Sequence, residues 1–275
     1  MTKLRTLAAV AATAYALTFG TAFANETIKL GVSFYPFYSA DSTKPDLLNA
    51  ISPALAERGY EIEKVAFLNY AEANPALANG EIDGNLIQHE LYMDIFNTRA
   101  GADLVIAQPV YHATFALYSA EYSTLDQIPA GETVFIPNDG VNTARALLLL
   151  QSAGLIELSD EVSFDASVSD ITANDKDLQF VQTPLTTTAG AYNEAGRKLA
   201  VMYPTFARSL DLTGDAERLY LEERNELTDA YAVSYAVNAQ DLEDPKTQAV
   251  IEALQSDAVA QYLTENYAWA STPAN

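Results

Sequence analysis

The 275-residue chain sets 15 Lys+Arg against 37 Asp+Glu, a formal charge of −22, which excludes nucleic acid and anionic membrane surfaces as partners. It contains no cysteine, so disulfides, thiol catalysis and a cysteine-borne lipid are excluded and stability must come from packing. With 49% hydrophobic residues, 12 Gly and 11 Pro, it reads as an ordinary folded protein of one large or two modest domains.

Residues 1–24 combine Lys3 and Arg5, an apolar run from Leu7 to Phe19 and the small-residue triplet Ala22-Phe23-Ala24. That pattern predicts a secretory signal peptide cleaved after Ala24, too short in its apolar part to span a membrane, and a periplasmic mature protein. Thr27 to Ser33 predicts the first strand of an α/β lobe. The aromatic loop Phe34-Tyr35-Pro36-Phe37-Tyr38 follows at its carboxyl end, where open α/β sheets bind ligands. Tyr35, Phe37 and Tyr38 either line a cleft mouth or pack that loop. Pro45 to Arg58 predicts a helix with Leu47, Leu48, Ile51 and Leu55 on one face and Gly59 as its stop, despite Pro53.

A strand over Ile62 to Leu68, a short helix over Ala71 to Asn79 and a strand over Ile82 to Ile87 complete a β-α-β-α-β alternation, which predicts parallel pairing. Tyr70, His89 and Tyr92 fall at strand ends or on the next helix, and their spacing puts His89 and Tyr92 on one helical face. A helix ending near Gly101, a strand over Leu104 to Ala107 and a long β run, Val110 to Ser119, come next.

Val134 to Leu158 is the most informative stretch. A β-rich run, Val134 to Ile136, breaks at the turn Pro137-Asn138-Asp139-Gly140, and Asn142 or Thr143 can cap a helix that carries Arg145. A helix N-terminus with an adjacent arginine makes a socket for a carboxylate or phosphate. An ordinary strand-turn-helix connection with Arg145 solvated fits the same residues equally well. Arg145 does stand alone as a cation between Arg99 and Lys176.

Beyond it come Val162 to Ser169, a strand over Leu178 to Val181, a helix around Thr188 to Ala195 and a buried strand over Leu199 to Met202. That strand ends at Tyr203, a ligand-stacking ring or a core filler. A second long β run, Tyr231 to Val237, precedes one amphipathic helix over Thr247 to Ala268. Two long β runs bracketing a second α/β block suggest two lobes joined by two crossing strands, with a cleft between them. The limits are residues 25–112 for the first lobe, 113–232 for the second and 233–275 for the return to the first. No hydrolase, phosphate-loop or metalloprotease motif is present, so no catalytic residue is assigned. With only His89 and His112 and no thiol, no metal ligand or cofactor is expected either.

Two segments, NYAEANPALANGEIDGNLIQHELYMD and IPNDGVNTARALLLLQSAGLIEL, together resemble the signatures of the methionine-binding (MetQ/NlpA) family of substrate-binding proteins for ABC importers. The resemblance implies an α/β, two-lobed, type II-like periplasmic-binding-protein fold with mixed sheets. It implies a monomer that captures a small carboxylate-bearing solute, methionine or a related amino acid, and delivers it to a membrane permease. The alternative is the same fold serving a different organic acid or a metal ion. Position by position, Tyr70, His89 and Tyr92 match pocket residues of the first lobe and Asn142 and Arg145 those of the second, with Arg145 on the ligand carboxylate. The chain departs from the family pattern at Ile87, which replaces a phenylalanine, and at Tyr203 and Val233, which stand where the family has asparagines. Family members are mostly lipid-anchored through cysteine, whereas this chain is expected to be released.

Overall fold

The computed structural model describes residues 25–41 and 43–274, and the signal-peptide reading of residues 1–24 lies outside the described residues. The first lobe begins with β1 (Glu26–Val32), α1 (Leu47–Glu57), β2 (Tyr60–Ala66), α2 (Ala73–Ala78), β3 (Gly84–Gln88), α3 (Glu90–Ala100) and β4 (Leu104–Ala113). Helix α1 starts where Asp46 accepts from the Asn49 N–H and the Asn49 side chain accepts from the Asp46 N–H, a reciprocal cap. Its buried face is Leu47, Leu48, Ile51 and Leu55, and the chain turns out at Gly59 with φ +85°. Helix α3 ends on Gly101 in the left-handed region, as its sequence predicts.

The second lobe holds β5 (Ala116–Tyr118), β6 (Thr133–Pro137), α4 (Gly140–Ser152), β7 (Glu157–Leu158), β8 (Ile171–Ala173), β9 (Gln179–Thr183), α5 (Thr188–Glu194), β10 (Ala200–Met202), α6 (Pro204–Ala207), β11 (Arg218–Leu221) and α7 (Glu226–Asp229). The chain returns through β12 (Ala232–Asn238), α8 (Pro245–Leu254), α9 (Asp257–Asn266) and β13 (Ser271–Pro273). The single closing helix expected from sequence is two helices: Gln255 ends the first and Ser256, extended at φ −71° and ψ 155°, begins the second. Both pack against α1.

The first sheet runs β13-β4-β12-β3-β1-β2 and the second β11-β5-β10-β6-β9. Strand β1 pairs in parallel with β2, Ile28 opposite Ile62, and with β3, Leu30 opposite Gly84. Strand β12 then lies antiparallel to both β3 and β4, so the sheet is mixed. The long β run expected over Val110 to Ser119 is divided: Val110–Ala113 continue the strand begun at Leu104 as β4 in the first sheet, and Ala116–Tyr118 form β5 in the second. In the second sheet β6 is parallel to β9 and β10, while β5 is antiparallel to β10 and β11. Both sheets therefore send strand ends and helix starts toward the same interlobe space, where open sheets hold ligands.

The central strand β3 is buried along its whole length, and Gly84 is there because a Cβ would overlap the fully buried Tyr235 ring. Gly84→Val is expected to cost about 1–3 kcal/mol, the usual price of overpacking a core, read as a lower midpoint in urea with an unchanged m-value.

Candidate functional site: the interlobe cleft

The cleft is built from the ends of elements on both sheets. On the first lobe, β3 ends at Gln88 and His89 takes an extended conformation, so its imidazole caps α3 by accepting from the Tyr92 N–H at 3.3 Å through Nδ1. His89 is thus the cap before the helix rather than a residue on its face. With Nδ1 accepting, the neutral ring carries its proton on Nε2, which is buried and has no hydrogen-bond partner. Tyr92 lies beside it, ring centroids 6.4 Å apart, and Tyr70 is 5.5 Å from Tyr92.

On the second lobe, the sharp turn after β6 leads into α4, and the cap is Asp139 rather than Asn142 or Thr143. A carboxylate one residue before the helix reaches the free N–H groups directly, and Asp139 Oδ1 accepts from the Asn142 N–H at 3.1 Å and its Nδ2 at 2.9 Å. The Tyr70 hydroxyl donates to Asp139 Oδ2 at 2.9 Å, a bond from one lobe to the other. Thr143 turns inward and donates to the Pro137 carbonyl at 2.8 Å.

Arg145, one turn further, is 1% exposed. Its Nε donates to Glu222 Oε1 at 2.8 Å and its Nη2 to Glu222 Oε2, a paired contact, while Nη2 also reaches the Ala113 carbonyl at 2.8 Å. Its Nη1 donates to the Tyr203 hydroxyl at 2.9 Å, and that hydroxyl in turn donates to Asn142 Oδ1 at 3.0 Å. A continuous chain of hydrogen bonds therefore runs from Glu222 through Arg145, Tyr203, Asn142 and Asp139 to Tyr70. The guanidinium also stacks on the Tyr231 ring, 4.2 Å from its centroid, and lies 5.2 Å from those of Phe115 and Tyr203.

The space enclosed is small. A cavity of about 30 Å³ remains, room for about one or two waters. Tyr70, Ile87, His89, Tyr92, Asn142, Tyr203 and Val233 all line it, so the structure brings these residues together. Arg145 does not: it lies behind the wall formed by Tyr203 and Ala113. Seven lining residues escaped the sequence reading of the site: Phe34, Gln88, Tyr111, Ala113, Leu185, Thr205 and Phe206. Phe34 and Gln88 belonged to segments already singled out, the aromatic loop and the Gln-His pair, whereas Leu185 and Thr205 carry no local signal. Tyr35, Phe37 and Tyr38 are absent from the lining; Phe37 is fully buried and Tyr35 stacks edge-on against Tyr267. The lobes also touch through Phe34 on Phe206, 5.8 Å between centroids, and through the Thr205 hydroxyl donating to the Tyr35 carbonyl at 3.1 Å.

Burial shapes the protonation of this cleft. It pushes the His89 imidazole down to about 3, with the Arg145 charge acting the same way, so the ring is neutral at ordinary pH. Burial pushes Tyr203 up to about 12 and Tyr92 likewise to about 12, keeping both phenols protonated. For Arg145 burial opposes the charge, but the Glu222 carboxylate outweighs it and holds the guanidinium protonated. Because His89 binds its proton less readily in the folded than in the unfolded chain, the stability it allows is complete above about pH 6.5 and is lost as pH falls toward 3. Relative to wild type, His89→Asn, which can still cap α3, is expected to gain stability on acidification below pH 6.5 by up to about 1.4 kcal/mol per pH unit. Urea unfolding of both proteins at stepped pH checks this, and a pH-independent difference would assign the proton elsewhere.

His112 sits on β4, 3.8 Å from the Asp229 carboxylate and apart from the cavity lining. Among the described residues no three His, Asp or Glu side chains converge as a metal set, and no helix is long and apolar enough to cross a membrane.

A family model described as NlpA lipoprotein matches residues 39–275. A D-methionine-binding lipoprotein MetQ of Salmonella typhi is 34% identical over 202 residues, 73% of each chain. Among solved structures, a nutrient binding protein from Burkholderia cenocepacia bound to methionine superposes with a TM-score of 0.80 at 26% identity, covering 90% of this chain and all of that one. A periplasmic substrate-binding protein of an ABC transporter from Coxiella burnetii gives 0.79 at 27% identity, with the same coverage.

Proposed function

This chain belongs to the NlpA lipoprotein family, and from that premise we propose that it is the extracytoplasmic solute-binding component of an ABC importer, capturing methionine or a closely related amino acid. The observation that carries this reading is the interlobe cleft itself, at the strand ends of two sheets, with an apolar wall and a few convergent polar groups. Ile87, Leu185, Val233, Phe34 and Phe206 suit an unbranched apolar side chain. His89 Nε2, Asn142 and the Tyr70 and Tyr92 hydroxyls supply polar handles, and Arg145 behind them supplies the positive pole nearest a ligand carboxylate.

The protein performs binding and release rather than chemistry. Entry of the solute requires the lobes to part, breaking the Tyr70 to Asp139 bond and the Phe34 to Phe206 contact, and closure re-forms them around it. The lobe limits proposed are residues 25–112 and 233–275 for one and 113–232 for the other, so that motion bends the two crossing segments. The matched relatives are named lipoproteins. This sequence has no cysteine, and we propose cleavage after Ala24, release as a monomer and docking of the closed form on a membrane permease.

Calorimetry with L- and D-methionine, other amino acids and small organic acids tests the reading. Saturable binding of methionine or a relative, weakened by Ile87→Asp in the cavity wall, is the expected result. Heat and melting temperature unchanged by every member of that panel would overturn it.

A further inference from the structure

The C-terminal segment from Tyr267 to Thr272 belongs to the first lobe but is bonded to both. On the first-lobe side, Ser271 and Thr272 pair with Ala113 and His112 of β4, and the fully buried Tyr267 ring packs edge-on against Tyr111, 5.5 Å between centroids. Its other side meets residues outside the first sheet. The Thr114 N–H and hydroxyl each donate to the Ala270 carbonyl at 3.0 Å, and Arg224 Nη1 donates to the Thr272 hydroxyl at 3.0 Å. Arg218 Nη1 donates to the Trp269 carbonyl at 3.1 Å, and the Tyr267 and Thr205 hydroxyls share a hydrogen bond. Thr114 lies in the crossing between β4 and β5, Arg218 on β11, and Thr205 on the wall of the interlobe cavity. The bonds therefore run in order along the segment, from the pivot at Ala270 to the cleft at Tyr267. At the cleft end the Arg208 guanidinium adds a contact, 3.8 Å from the centroid of the Tyr35 ring, which itself stands 5.3 Å from Tyr267.

We infer that this segment is a strap, a third and noncovalent link between the lobes that holds them together and limits how far they part. Two crossing segments fix where the lobes bend but not how far. As the lobes separate, bonds close to the pivot are barely stretched, so the pair on Ala270 persists. The bonds of Trp269 with Arg218 and of Tyr267 with Thr205 lie further out and must break. The first of these has a charged donor, which makes it one of the stronger kinds of hydrogen bond, and the second joins a fully buried ring to the cavity wall. Breaking either one costs free energy on opening alone, so each shifts the balance between open and closed forms.

The test is made on solute-free protein, so its outcome does not depend on which solute the cleft takes. The chain has no cysteine, and Leu68→Cys with Thr187→Cys puts one spin label on each lobe, at exposed positions that neighbour the cavity-lining Tyr70 and Leu185. Pulsed electron spin resonance then reads the distance between the lobes. Arg218→Met keeps the side-chain stem and removes the donor, leaving only the exposed Asp215 without its partner. It should raise the ratio of long to short distances roughly tenfold over the labelled parent. Tyr267→Phe, which keeps the buried ring and loses the hydroxyl, should move the ratio the same way, and it keeps the proposal falsifiable if Arg218→Met folds poorly. Arg58→Met, which breaks the exposed pair with Glu252 inside the first lobe, should leave the ratio unchanged. A ratio unmoved in either folded strap variant, or moved equally by Arg58→Met, would overturn the strap.

Discussion

Arg145→Leu is expected to cost about 3–5 kcal/mol of folding stability, because it leaves the Glu222 carboxylate inside the second lobe with its charge unpaired. The loss has other contributors: the Tyr203 hydroxyl and the Ala113 carbonyl each lose a donor, and the Phe115, Tyr203 and Tyr231 rings lose the cation they surround. Removing both charges, Arg145→Leu with Glu222→Leu, should recover much of that loss, since a buried pair replaced by apolar residues is often nearly neutral. Urea denaturation of the three proteins supplies the comparison. A double variant no more stable than Arg145→Leu would mean that packing or hydrogen bonds, rather than the stranded charge, dominate.

Tyr203→Asn should have an effect of similar size in two opposing directions. Tyr203 packs 4.5 Å from the Phe115 ring centroid and carries the middle of the hydrogen-bond chain, so truncation should lower the stability of the ligand-free protein by about 3 kcal/mol. The same change removes an aromatic ring from the wall of a cavity of about 30 Å³. Burial of a methionine side chain in the vacated space is worth about 1.5–3 kcal/mol, so methionine should bind roughly ten- to a hundredfold more tightly than to wild type. Calorimetry reads the affinity and thermal melting with and without methionine reads the balance. Weaker binding to Tyr203→Asn would make the phenol a ligand contact instead of a plug.

The first expectation depends on Glu222, the residue on which sequence and structure part most clearly. Arg145 drew attention because a lone cation after a strand-turn element predicts an anion partner, and it has one. The partner is internal and lies 77 residues away along the chain. Nothing around Glu222 distinguishes it from the other acidic residues, because its role comes from β11 lying beside β5, which is a matter of sheet order. The cap of α4 was misplaced for a smaller reason: in a run of Asn, Asp, Gly and Asn several side chains can cap, and only the backbone shows that Asp139 is the extended residue. Spacing puts His89 and Tyr92 on one helical face because it cannot separate a cap from a first turn, yet as the cap His89 presents its Nε2 at the cavity.

What the sequence determined by itself was everything that depends on local pattern or on a long motif. The β-α-β alternation of the first lobe, the apolar face of α1, the stop at Gly101 and the pairing of His89 with Tyr92 follow from periodicity and turn chemistry within a few residues. The two extended motifs carried the family and with it the two-lobed fold. What only the tertiary structure decided was the insertion of β12 between β3 and β4, the closeness of Phe34 to Phe206, the tight filling of the cleft by Tyr203 and the neutralisation of Arg145 by Glu222. Each of these is a contact between residues far apart in the chain. Its free energy comes from burial and charge pairing that exist only once both sheets are assembled.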